Sequence, residues 1–77
     1  MKGKVPVTKR ALIQRINRKI ADDGEVLKAT RGERSRQELG DFYILDPNHN
    51  AIVNKHVDPE ALGRELGVLK PYETLVD

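Results

Sequence analysis

His49 and His56 stand seven residues apart, with Asp46, Asn50 and Asp58 near them, and these are the side chains best suited to hold a cation or move a proton. A metal site or a nucleophilic centre needs a further ligand or an activated nucleophile, and the neighbouring sequence supplies neither. Asp46-Pro47-Asn48-His49-Asn50 is in the first place a turn sequence, because Asp and Asn side chains bond their own backbone there. The glycines are dispersed and match none of the spacings that cradle a phosphate. The expectation is a protein that is not an enzyme, with no catalytic residue, no metal, no cofactor and no small-molecule substrate.

The basic residues carry the stronger signal. Residues 1–36 hold 11 Lys or Arg against 4 acids, a net +7, whereas residues 37–77 hold 3 against 8, a net −5. Seven basic residues precede the first acid, Asp22. Phosphate polyanions bind such surfaces through charge, so Arg10, Arg15, Arg18 and Lys19 are candidate nucleic-acid contacts, with Arg31, Arg34 and Arg36 closing over them. Lys2 and Lys4 would extend the patch. The alternative is a protein-interaction module, a homodimer or an adaptor, in which the basic half of one molecule meets the acidic half of another. A solvated helix face, with Arg18 paired to Asp22 one turn on, is the plainest reading of the same charges.

The rest of the composition bounds these alternatives. The chain has 77 residues, 38% of them hydrophobic, and no Cys or Trp. A domain of this size buries only about 60% of the surface its unfolded chain exposes, enough for one two-layer core. Without cysteine there is no disulfide, thiolate zinc site or thiol nucleophile. The longest apolar run, residues 42–45, is far too short to span a membrane, and a cytoplasmic protein is expected.

The elements that would position the basic side chains follow from local pattern. Residues 1–7 read as a flexible basic arm, 8–69 as a single α+β domain and 70–77 as a turn or tail. Thr8 is suited to cap a helix over residues 9–22, with Val7 and Leu12 as a hydrophobic staple and Leu12, Ile13, Ile16 and Ile20 on one face. Lys9 and Arg10 at its start and Asp22 and Asp23 at its end would oppose the helix macrodipole. Residues 25–30 suit a strand, and residues 41–46 and 51–57 a β-hairpin around the Pro47 turn. Between them Ser35 and Glu38 could box one helical turn that ends at Gly40. A second helix starts at Asp58-Pro59 and ends at Leu66, before Gly67 and Val68. Gly63 would weaken it by about 1 kcal/mol relative to Ala. The expected fold is α-β-β-β-α, a three-stranded antiparallel sheet with two helices packed on one face.

That order resembles the topology of double-stranded-RNA-binding domains, a likeness that implies RNA contacts from the first helix, the loops and the start of the last helix. The start of the last helix here, Asp58-Pro59-Glu60-Ala61, is acidic where that family carries lysines. The stretches TKRALIQRINRKIADDGEVL (8–27) and ALGRELGVLKP (61–71) are similar to small uncharacterised bacterial proteins, including ones encoded on plasmids and other mobile elements. That resemblance implies a cytoplasmic accessory role and no particular activity.

Overall fold

In the computed structural model, which describes residues 4–76, the helices begin where the capping residues place them. Thr8 is extended and its hydroxyl accepts the Ala11 N–H at 3.1 Å, starting helix α1 (Lys9–Ile20). A 3-10 turn, Ala21–Asp23, follows, and Gly24 closes it at φ +75°. Asp58 caps helix α3 (Pro59–Leu66) through the Glu60 N–H, with Pro59 in its first turn. Gly67, at φ +78°, and Val68 bond back to Arg64 and Gly63 in the Schellman arrangement.

Strands β2 (Val26–Ala29), β3 (Phe42–Asp46) and β4 (Ala51–Asn54) form an antiparallel sheet in the order β2-β3-β4. Its two edges are treated differently. On β2, the Asn17 side chain of α1 accepts the Leu27 N–H at 2.7 Å and donates to the Leu27 carbonyl at 3.4 Å, so the amide takes the place of a neighbouring strand. On β4 a register shift opposite Ile44 and Leu45 bends the strand, a device that discourages edge pairing.

The expected two-helix, three-strand fold is corrected in two places. Helix α2 (Glu33–Leu39) stands between β2 and β3, and β1 (Val5–Thr8) pairs in parallel with β5 (Glu73–Val76), making a second sheet of two strands. Among the described residues there are therefore three α-helices and two sheets. Segments read as the end of an arm and as a tail join across nearly the whole sequence, which no local periodicity can signal. Lys2 and Asp77 lie outside the described residues. Helix α2 begins at Glu33 after Gly32, with no side-chain cap, so the Ser35 box is not its start.

One core joins these elements. Val7, Leu12, Ile16, Ile20, Leu27, Ile44 and Leu69 are buried together, with α1 as the common neighbour of both sheets and of α3. Gly63 is buried where α3 meets α1: a Cβ there would lie 2.7 Å from Leu12 Cδ1 and 3.3 Å from Leu69 Cβ. Its missing side chain lets the two helices approach, which offsets the lower helix propensity expected of it.

Candidate nucleic-acid interface

Helix α1 turns Leu12, Ile16 and Ile20 inward, and its period of 3.6 residues therefore leaves Arg10, Gln14, Arg18 and Lys19 exposed. The helix ends at Ile20, so Arg18 and Lys19 occupy its last turn, where positive charge favours the macrodipole. The opposition expected from Asp22 and Asp23 is thereby moved into the 3-10 turn, and only Lys9 and Arg10 stand against the dipole.

Arg15 has a different environment. Its Nη1 lies 3.0 Å from both the Val68 carbonyl and Glu73 Oε1, and 3.1 Å from Glu73 Oε2. Glu73 is buried, and the Lys70 N–H donates to its Oε1 at 2.8 Å. Its carboxyl is held below the ordinary 4.5, first by the Lys70 N–H, against the opposing effect of burial, and then by Arg15. Arg64 completes the clamp on this segment by donating to the carbonyls of Lys70 and Glu73.

The second basic group lies around α2. Arg31 precedes the helix, and Arg34 and Arg36 are on it, all exposed. Arg36 pairs with Asp41 at 3.4 Å, an exposed contact of small energetic weight. It also lines an open cleft of about 450 Å3 with Lys9, Phe42 and His56, where the Lys9 ammonium stands 6.0 Å from the Phe42 ring centroid. Arg15, Arg18 and Lys19 line another groove of about 420 Å3 with Asp22 and Val68. Arg31 lines a third, apart from both. The predicted contacts are thus distributed over several shallow surfaces, and Lys9, which sequence reasoning left out of the site, lines one cleft with Arg36. The anticipated Arg18–Asp22 pair does not form; among the described residues Arg10, Arg18, Lys19, Arg31 and Arg34 make no ion pair.

The histidine-bearing turn is closed by Asp46. Its Oδ1 accepts the N–H groups of Asn48 and His49, and its Oδ2 lies 2.8 Å from His49 Nδ1. The imidazole contact is the main cause that lowers the Asp46 pKa, opposed by desolvation. His56, at φ +52°, packs elsewhere, against Gly40, and its N–H donates to the Leu39 carbonyl at 2.7 Å. The two histidines therefore serve separate turns. No group of three or more His, Cys, Asp or Glu side chains suited to a metal occurs among the described residues.

Compared with protein-family models, with curated proteins and with solved structures, the chain matches none. The resemblance to small bacterial and mobile-element proteins accordingly finds no support. The likeness to double-stranded-RNA-binding domains is overturned by the fold itself, through the added α2 and the parallel β1–β5 pair. No helix among the described residues is long and apolar enough to cross a membrane.

Proposed function

We propose that this chain is a small non-enzymatic accessory module that binds nucleic-acid phosphates through Arg10, Arg18 and Lys19 of α1 and through Arg31 and Arg34 beside α2. The observation that carries this reading is the division among the cations. Arg15, Arg36 and Arg64 have acidic partners, whereas these five are exposed and have none among the described residues. Unpaired surface cations supply the salt-dependent attraction on which sequence-independent binding rests. Arg15 belongs to the support of this surface, since its guanidinium is engaged by Glu73 and Val68. The rival use of charge, the basic half of one molecule against the acidic half of another, is less favoured because Arg15 and Glu73 already join those halves within one molecule. A cytoplasmic location belongs with this reading, since nucleic acid is concentrated there.

The test is fluorescence anisotropy of labelled duplex DNA, duplex RNA and single strands at about 50 and 200 mM salt, a range over which phosphate contacts change affinity by orders of magnitude. Binding that falls steeply with salt, and falls again in Arg18→Glu with Lys19→Glu, is the expected result. Absence of binding at the lower salt would overturn the reading.

A further inference from the structure

Strand β2 and helix α2 enclose a cleft to which nothing in the sequence drew attention. Lys28 and Thr30 are two residues apart, so they stand on one side of the chain, and the cross-strand partner of Lys28 is Tyr43. Leu27 and Ile44, on the other side, are buried in the core against α1. The cleft thus opens on the sheet face turned away from α1, where α2 supplies Ser35 and Leu39 and the connection supplies Arg31. Its volume is about 280 Å3.

The chemistry of this lining is one-sided. Lys28 and Arg31 bring positive charge, Thr30, Ser35 and Tyr43 bring hydroxyls, and among the described residues no carboxylate lines the cleft. Thr30 is only 7% exposed, and its Oγ1 is buried without a hydrogen-bond partner. Its backbone N–H is fixed by the Asp41 carbonyl at 2.9 Å, so the residue is anchored by its main chain while its hydroxyl goes unused. A buried hydroxyl left without a partner works against stability, and here it lies beside two cations.

We infer that this cleft seats a phosphate group of a nucleic-acid strand. Lys28 and Arg31 neutralise the oxyanion through charge-assisted hydrogen bonds, while the hydroxyl of Ser35 donates to a remaining oxygen and that of Thr30, buried in the free chain, turns about χ1 to reach another. The inference rests on the proposed nucleic-acid reading and assigns one of its contacts, drawing in Lys28, Thr30 and Ser35 beside Arg31.

Amide resonances of the full chain would be followed by NMR during titration with inorganic phosphate and, separately, with a short single-stranded oligonucleotide, at constant ionic strength. Both are expected to shift Thr30 and Ser35, and Lys28→Gln combined with Arg31→Gln is expected to weaken oligonucleotide binding about tenfold. Thr30→Val keeps the side-chain shape, so in the free protein its unfolding midpoint should equal or exceed that of the wild type, while the rise in midpoint on adding phosphate shrinks. Should the oligonucleotide bind wild type and all three substituted positions equally, the cleft assignment is overturned together with the Arg31 contact, and the proposed function stands on Arg10, Arg18, Lys19 and Arg34. Shifts at Thr30 and Ser35 with free phosphate alone would overturn the assignment to a strand, and no binding of either probe would overturn both readings.

Discussion

Arg15 and Glu73 meet at 3.0 Å across 58 residues of sequence, joining the middle of α1 to the first residue of β5. The contact fixes a carboxylate that the Lys70 N–H also holds, and it fastens the terminal strand to the central helix. Because the Glu73 pKa is depressed in the folded chain, its contribution is present above the ordinary carboxyl pKa of 4.5 and is lost as pH falls through the folded value. Thermal unfolding followed by circular dichroism should therefore show stability declining below about pH 4.5, with Glu73→Gln less stable than wild type near neutrality and flatter on the acid side.

Asn17→Ala removes the amide that seals the β2 edge and leaves the partly buried Leu27 N–H without its 2.7 Å acceptor. A loss of about 1–3 kcal/mol in urea unfolding is expected. Amide exchange at Leu27 should accelerate more than exchange at Ile44, on the central strand.

Gly63→Ala would ordinarily stabilise a helix interior by about 1 kcal/mol. Here the added Cβ meets fully buried Leu12, and overpacking of this kind costs about 1–3 kcal/mol, so net destabilisation is expected in the same unfolding measurement.

Gly40→Ala tests the connection between α2 and the segment after β4. Gly40 lies at φ +80°, and a Cβ there would stand 2.7 Å from His56 Cα. Backbone strain alone is worth about 1–3 kcal/mol. Amide resonances of Leu39 and His56 should shift most.

Charge reversal at Arg18 and Lys19 separates binding from folding, because neither side chain is buried or ion-paired. Both stand in the last turn of α1, so reversal to Glu opposes the macrodipole by about 0.3–1 kcal/mol each, and the unfolding midpoint should fall modestly while the chain stays folded. The slope of log K against log salt on duplex DNA should flatten by about 0.9 for each phosphate contact removed.

The starts of α1 and α3 and the end of α3 were legible because their determinants are local, whereas α1 stops at Ile20 short of residue 22 and α2 begins after an uncapped Gly32. Thr8, Asp58-Pro59 and Gly67 each act within a turn or two, and each sits where its chemistry suggests. The hairpin of β3 and β4 was legible for the same reason, through Asp46 and the turn it closes. Strands β1 and β5 were not, since each has four residues, β1 contains Pro6, and their stabilising partners lie at the other end of the chain. The pairing of Arg15 was not legible on similar grounds: charge and helical spacing are visible in sequence, whereas a carboxylate 58 residues away is not. Thr30 carried no signal either, because an unpaired hydroxyl is a property of its surroundings.

The parallel pairing of β1 with β5 also sets an order of events. Val5 faces Glu73 in that ribbon, so a chain whose residues 73–76 have not yet joined the fold has nothing with which β1 can pair. Loop closure on this scale comes late, after local helices and the hairpin have formed. Docking of β5 thus completes the fold, and until it occurs Val7 and the Arg15 side of α1 stay uncovered.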